Sequence, residues 1–225
     1  MKDSVGAPEF PVWLVADSEP KSWQELLLTP LDPRHPARHS IWTSVLDYMQ
    51  EALYRQDRRR FATDRLYIIN AVKDPDDKPK AMDVDWPDDL RKKTYSLRDR
   101  LLNFKPKVIL TFGAFAFEFV RRAYGNEPPL PFGKWSTKRL GEEFKKHIAL
   151  YNPSGINILP LLHVSISRGR FLESHRYFVG EGGKEPANYF EFVGTKLANL
   201  FLKEAEKLPI WITSGTKHCS GMRDY

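Results

Sequence analysis

The sequence predicts an α/β protein with three layers (α/β/α), in which helices cover both faces of a mostly parallel, four-stranded central sheet. Short apolar runs alternate along the chain with segments of helical periodicity, which is the pattern of βαβ units. The runs show no polar alternation, as expected of strands buried on both faces. Three of the runs end at polar residues, namely Asp17, Asn70 and His163. Because ligands bind beyond the carboxyl ends of parallel strands, these three residues are the first candidates for a site.

The first half of the chain is predicted to contain two strands and one helix, separated by loops. The predicted elements are a strand at Val12–Ala16, a proline-rich loop at Thr29–Ser40, a helix at Ile41–Arg55, a strand at Leu66–Asn70 and a surface loop at Asp74–Asp89. The loops are rich in proline and aspartate, which favour turns over helix or strand.

The second half predicts the remaining strands and helices. The predicted elements are a helix at Ser96–Phe104 with Ser96 as N-cap, a strand at Val108–Phe112, a helix at Ala114–Ala123, a long loop at 125–147, a short added strand at Ile148–Leu150, a strand at Ile158–Leu162 and a last helix at Pro186–Lys207. We expect residues 1–212 to form a single domain and residues 213–225 to form a flexible C-terminal tail.

Composition bounds the class of protein. Of 225 residues, 41% are hydrophobic and 28% are charged, which is the balance of a soluble globular protein. A domain of this size buries roughly 70% of the surface that its unfolded chain exposes, so its core needs no disulfide or metal ion for stability. Cys219 is the only cysteine, which excludes a disulfide, a zinc ribbon and a cysteine-ligated iron–sulfur cluster within the chain. The sequence shows no apolar run of membrane-span length and no signal-peptide profile, so we expect a cytoplasmic protein.

The charge balance suggests a class of partner. Lys and Arg number 35 against 29 Asp and Glu, a net charge of +6. A basic excess favours polyanionic partners, nucleic acid above all, through counterion release and long-range attraction. A solvated basic surface without any partner accounts for the same charge, and charge alone leaves both readings open.

Four segments in chain order resemble the uracil-DNA glycosylase superfamily, especially its bacterial and archaeal branch that carries an iron–sulfur cluster. Leu14–Pro20 (LVADSEP) lies where that branch has a strand followed by Gly-Glu-x-Pro-Gly, and Leu66–Lys73 (LYIINAVK) is similar to Tyr-Ile-Thr-Asn-Val-Val-Lys. Phe104–Ala116 (FKPKVILTFGAFA) is similar to a Pro-Lys-Val-Ile strand followed by Gly-x-x-Ala. Leu162–Arg168 (LHVSISR) resembles the His-Pro-Ser motif.

The chain also departs from these patterns. Ala16 and Pro20 stand where the family prefers glycine, Glu19 where proline is usual, and Val164 after the histidine in place of proline. Asp74 stands where the clustered branch has a cysteine ligand. The resemblance therefore implies a relative without a cluster, which would need no metal and no cofactor. We expect a monomer, although the sequence leaves the oligomeric state open.

The resemblance implies a DNA glycosylase that excises uracil or a related deaminated base in base-excision repair, with DNA containing the damaged base as partner. The implied catalytic residues are Asp17, which would stabilise the sugar cation and orient water, and His163, which would donate to the base oxygen; Glu19 is a second candidate for the carboxylate. The base would be held by Asn70 and, on a looser alignment, Trp42. The residues implied in DNA binding are Ser165, Ser167, Arg168, Arg170 and Lys73.

Other readings stay open at this stage. Aspartate and asparagine are common in turns after strands, and histidine often bonds within a turn. A catalytically silent relative that binds nucleic acid or a protein fits the altered motif loops. An unrelated α/β enzyme acting on nucleotides is a third reading, although the sequence has no phosphate-cradling glycine loop.

Overall fold

The protein is described by a computed structural model covering residues 4–19, 21, 28–30, 32, 34, 42–125, 128–163, 172–180 and 188–212. Within these residues one sheet has the strand order β1-β3-β2-β4-β5. The strands are β1 Ser4–Val5, β2 Val12–Ala16, β3 Tyr67–Asn70, β4 Val108–Phe112 and β5 Asn157–Leu161. The last four are parallel and correspond to the four predicted strands, whereas β1 pairs antiparallel with β3 at the edge.

Six helices accompany the sheet in the part of the chain that the structure describes. They are α1 Thr43–Asp57, α2 Asp88–Phe104, α3 Ala114–Tyr124, α4 Thr137–Ala149, α5 Leu172–Val179 and α6 Tyr189–Lys203. None of these helices is both long enough and apolar enough to cross a membrane.

The helices form a layer on each face of the sheet, which confirms the α/β/α fold class. Trp13 of β2 contacts Phe104 at the end of α2, with ring centroids 6.4 Å apart. Trp13 pairs with Ile109 of β4, and Phe112 lies three residues further along β4, so its side chain lies on the other face. Trp42, just before α1, packs on Phe112. α2 therefore packs with α3 on one face and α1 with α6 on the other, while α4 contacts β5 and α5.

Two expectations about residues 125–150 were wrong. The segment expected to be a loop at 125–147 contains most of α4, and the expected strand at Ile148–Leu150 is the end of that helix. Ser136 caps α4 by accepting a hydrogen bond from Arg139 N at 3.3 Å, and Leu140 and Phe144 are buried four residues apart. A cap followed by helical spacing outweighs the local β-propensity of the short apolar run.

The helix α2 begins eight residues earlier than expected, so Ser96 lies inside the helix rather than at its N-cap. Pro87 precedes the first turn, which carries Asp88 and Asp89. Proline fits the start of a helix, and acidic side chains there interact favourably with the helix dipole. These start signals lie inside the segment whose composition indicated a loop.

A buried carboxylate on α3 fixes the segment that links α3 to α4. Glu118 is fully buried and accepts hydrogen bonds from Arg121 Nε and Arg122 Nε, each at 2.9 Å. The same carboxylate accepts from Leu130 N and Trp135 Nε1, each at 2.8 Å. Two guanidinium groups and two neutral donors thus surround a single buried charge.

Candidate active site

Two of the predicted site residues are neighbours at the carboxyl edge of the sheet. Asn70 ends β3 and is paired in register with Ala16, so Asp17 follows directly on the adjacent strand. The chain after β3 continues this contact, because Val72 N donates to the carbonyl oxygen of Asp17 at 3.1 Å. The parallel pairing therefore brings together two polar residues that are 53 positions apart in the sequence.

His163 reaches the same edge from β5, although β4 lies between β5 and β2. Gly113 directly follows β4, has φ +96°, and would place a Cβ atom only 2.9 Å from the Cβ of His163. The main chain at Gly113 also donates to Leu161 O at 2.9 Å. The absence of a side chain at Gly113 lets His163 pass close over β4, and His163 Nε2 lies 3.8 Å from Asp17 Oδ2.

Lys78 is a second charged group at this point, beside Asp17, and no sequence pattern indicated it. Its Nζ lies 3.2 Å from Asp17 Oδ1, and the two side chains are 27% and 12% exposed. The contact lacks hydrogen-bond geometry, and no described residue donates a hydrogen bond to this buried oxygen. One carboxylate oxygen thus lies beside a cation but accepts no hydrogen bond from the described residues.

Burial lowers the pKa of His163 below its ordinary value; the Asp17 carboxylate opposes this shift and the Lys78 ammonium adds to it. Removing a histidine from water disfavours its charged form. The imidazole is therefore neutral near pH 7 and carries a single ring N–H. A neutral ring beside a carboxylate can donate one hydrogen bond without bringing a second positive charge into the site.

Asn70 is bonded to the second acidic residue of the first loop. Its Nδ2 donates to Glu19 Oε1 at 2.8 Å, and Glu19 is only 3% exposed. Burial raises the pKa of Glu19; the hydrogen bond from Asn70 opposes the rise and the charge of Asp32 adds to it. Of the two candidates for the carboxylate role, Asp17 lies beside His163, whereas Glu19 contacts the side chain that is expected to read the base.

Trp42 lies in the core beside the site. It is 4% exposed, and its ring packs edge-on against Phe112, with centroids 6.2 Å apart and planes at 89°. Little of the ring is open to stack on a base in this arrangement, and its base-binding role stays a prediction. Three aromatic residues of α3, Phe115, Phe117 and Phe119, are buried as well.

Lys73 lines an open groove of about 420 Å³ that leads from Asn70 along α2. The helix contributes Lys93, Ser96 and Arg100 to this groove. Lys93 is paired with Asp77 at 2.9 Å, and Arg100 donates to the Tyr67 hydroxyl at 2.9 Å. Asp77 also lines the groove and compensates Lys93, so the positive charge next to the candidate site comes from Lys73 and Arg100. The other residues predicted to bind DNA, Ser165, Ser167, Arg168 and Arg170, lie outside the described residues.

The described residues contain no cluster of three or more histidine, cysteine or acidic side chains arranged to hold a metal ion. Asp74, at the position of a cysteine ligand in the related motif, accepts a hydrogen bond from Asp76 N at 2.9 Å and caps a short 3₁₀ helix at Pro75–Asp77. A carboxylate used as a cap does not replace a cluster thiolate, so these residues do not fit an iron–sulfur cluster.

The sheet is mostly parallel and covered on both faces, and an acid, an amide and a neutral histidine lie at the carboxyl ends of three strands. This edge is where α/β proteins of this kind bind their ligands. The family model for the uracil DNA glycosylase superfamily matches residues 32–185, and the chain belongs to that superfamily. A search of curated proteins found none that matches the chain. The family match includes Asn70 and His163 but begins after Asp17 and Glu19, whose assignment depends on geometry.

Proposed function

We propose that this protein is a DNA glycosylase that hydrolyses the N-glycosidic bond of uracil, or of a related deaminated base, in DNA. One observation carries the proposal: His163 Nε2 lies 3.8 Å from Asp17 Oδ2, with Asn70 on the neighbouring strand, in a chain of this superfamily. The three groups required by the chemistry therefore lie at one edge of the sheet.

The reaction separates charge along a breaking bond. As the C–N bond stretches, the sugar becomes cationic and the base leaves as an anion, so the transition state needs a negative group near one and a donor near the other. In our proposal Asp17 faces the sugar and orients water, whose hydroxyl bonds to C1′ of the sugar. His163 donates its ring N–H to the base oxygen that gains charge, and the base anion then takes up the water's remaining proton.

Recognition of the base follows from the amide of Asn70. An extruded uracil presents one N–H between two carbonyl oxygens, and an amide can donate to a carbonyl while accepting from the N–H. Cytosine presents the opposite pattern on the corresponding atoms and leaves the amide unpaired, which costs binding free energy.

The basic groove supplies a path for the DNA strand. Lys73 and Arg100 are exposed and line the groove beside Asn70, at a place where a phosphate chain next to a flipped nucleotide would pass. Contacts with phosphates release counterions, so this part of the binding should weaken as salt rises. Replacing both residues by alanine should reduce the slope of log affinity against log salt concentration by about one to two. The reduction should be the same for DNA with and without uracil, because phosphate contacts do not depend on the base.

A catalytically silent DNA-binding protein is the second candidate function. The Lys78 ammonium, 3.2 Å from Asp17 Oδ1, partly neutralises the charge that a sugar cation requires. If Lys78 keeps this position when DNA is bound, the carboxylate contributes less to the transition state. This candidate predicts salt-dependent DNA binding that is indifferent to uracil and releases no base.

The two candidates are separated by an excision assay. The protein is incubated with single- and double-stranded oligonucleotides that contain uracil or hypoxanthine, and abasic sites are revealed by alkaline strand scission. We expect uracil-dependent scission that is lost in His163→Ala. His147→Gln is the matched control, because His147 has similar exposure and contacts Ile158 near the opposite end of β5. Folded protein that binds DNA but releases neither base would overturn the glycosylase proposal.

A further inference from the structure

The contact between Glu19 and Asn70 is unusual for a buried carboxylate. Buried acidic groups are ordinarily paired with a cation or with several donors. Among the residues that the structure describes, the hydrogen-bond donor to Glu19 is one neutral amide group, at 2.8 Å, although the residue is only 3% exposed. The Glu19 carboxylate therefore acts on the orientation of one side chain, the Asn70 amide.

That effect is to fix which end of the amide faces the carboxylate. An ionised carboxylate only accepts hydrogen bonds, whereas the Asn70 side chain has a donor NH₂ and an acceptor oxygen. If the amide turned by 180°, its oxygen would face the carboxylate oxygen and both acceptors would repel. Glu19 therefore keeps the NH₂ group of Asn70 directed toward itself. The amide oxygen and the second N–H of Asn70 then point in fixed directions, away from Glu19.

The orientation of an amide decides between uracil and cytosine. An asparagine that donates to uracil O4 and accepts from uracil N3–H needs only to turn over to accept from the cytosine amino group and donate to cytosine N3. An amide free to turn would thus accommodate either base. We propose that Glu19 is a positioning residue that keeps Asn70 in one orientation and so determines the preference for uracil over cytosine; this inference rests on the proposed function.

The effect of Glu19 depends on its being ionised. A protonated carboxyl gains an O–H donor and can face the amide oxygen as well as the amide NH₂. The other charged group acting on Glu19 is Asp32, which accepts two hydrogen bonds from the Arg34 guanidinium; Arg34 holds the pKa of Asp32 far below its ordinary value. Asp32 therefore stays ionised while Glu19 titrates.

The first test measures base preference without chemistry. Oligonucleotides carrying 2′-fluoro-deoxyuridine or 2′-fluoro-deoxycytidine, which resist cleavage because fluorine destabilises the sugar cation, are titrated by fluorescence anisotropy. In Glu19→Gln, whose amide can either accept or donate, we expect the uracil-to-cytosine affinity ratio to fall by about ten- to a hundredfold, which is the scale of one hydrogen bond to a charged group. The exposed Glu9→Gln is the matched control and should leave the ratio unchanged.

The second test observes the amide itself in the protein without DNA. In ¹⁵N-labelled protein, the Asn70 side-chain NH₂ signals are assigned by their loss in Asn70→Ser. We expect them to shift as pH falls through the pKa of Glu19, and we expect no such shift in Glu19→Gln. This measurement uses the folded wild-type chain and needs no activity, so it remains decisive if the Glu19 variant folds poorly.

The outcomes separate the inference from the proposed function. If the wild-type protein neither excises uracil nor prefers the uracil analogue, the proposed function is contradicted. This conclusion does not depend on how the Asn70 NH₂ signals respond to pH. A wild-type protein that prefers uracil, with a Glu19→Gln variant that prefers it equally, would overturn the role of Glu19 alone. Amide signals that ignore the titration of Glu19 would contradict the fixed orientation directly.

Discussion

Glu118 and Glu19 are both buried glutamates, but they differ in the number and charge of the groups that donate hydrogen bonds to them. Glu118 accepts from two guanidinium groups, one main-chain N–H and one indole N–H. Glu19 accepts from a single amide among the described residues. The first carboxylate is fully compensated and connects α3 to the segment that follows it. The second is left with a desolvation cost, which is why its pKa is raised.

This difference distinguishes a carboxylate that stabilises the fold from one that, in our proposal, serves a site. A charge with a complete set of donors contributes to structure, because removing it leaves other buried groups unpaired. A buried charge with an incomplete set of hydrogen-bond donors lowers the stability of the fold. Such a charge is typical of a functional site, where it acts on a neighbouring group. Asp17, with one oxygen that accepts no hydrogen bond from described residues, belongs with Glu19 rather than with Glu118.

The largest expected effect is on catalysis at Asp17. Asp17→Asn keeps the shape of the side chain and removes its charge, so excision of uracil should fall by about 10²- to 10⁴-fold. Single-turnover excision rates and thermal melting of the same preparation provide the measurement. The melting temperature should stay within a few degrees of wild type, and an unchanged excision rate would place the functional charge elsewhere.

The next largest effect is on stability at Glu118. Glu118→Gln leaves Arg121, which is 8% exposed, without its counter-charge, so the free energy of unfolding should fall by about 3 kcal/mol. For a chain of this size the melting temperature should then drop by about 6–12 °C. The control is Glu143→Gln, which removes a partly exposed ion pair with Lys146 and should cost less than about 1 kcal/mol.

At Glu19 the stability effect should have the opposite sign. Because burial makes the ionised form unfavourable in the fold, Glu19→Gln should raise the free energy of unfolding at pH 7 by about 1 kcal/mol. A group whose pKa is raised by folding binds its proton first in the folded state as pH falls. The advantage of the variant should therefore shrink as pH falls through the raised pKa of Glu19. Urea unfolding at a series of pH values tests this, and a destabilised variant at pH 7 would contradict it.

The smallest effect concerns the cation beside Asp17. Lys78 lowers the pKa of His163 through its charge, so the neutral variant Lys78→Met should raise that pKa while the fold is little affected, since Lys78 is partly exposed. Histidine ring signals followed by NMR over pH provide the measurement, and Lys80→Met, at an exposed lysine of the same segment, is the control. An unchanged His163 titration would mean that the Lys78 charge is screened.

The four parallel strands could be predicted from sequence because each is an apolar run long enough to be recognised without its neighbours. The polar residues at their ends, Asp17 and Asn70, could be placed for the same reason, since strand ends share one edge of the sheet. β1 has two residues and depends on pairing with β3, so no local pattern indicates it. The start of α2 was missed because aspartates and proline indicate both a loop and a helix N-terminus.

Contacts between distant side chains could not be predicted. Glu19 and Asn70 are 51 positions apart, and nothing in either local pattern indicates that the two side chains meet. Lys78 lies in an aspartate- and proline-rich segment without periodicity, where a lysine is usually solvated. The only available signal was its position a few residues after the motif that ends at Lys73.

Gly113 has a consequence for how substitutions in this protein would be interpreted. It carries no functional group, yet both its backbone angle and the 2.9 Å approach to His163 exclude even a methyl group. A variant here would displace the imidazole from the carboxylate while leaving every reactive side chain in the sequence intact. A survey that searches for lost activity only among acids, bases and amides would overlook the residue that sets the spacing between them.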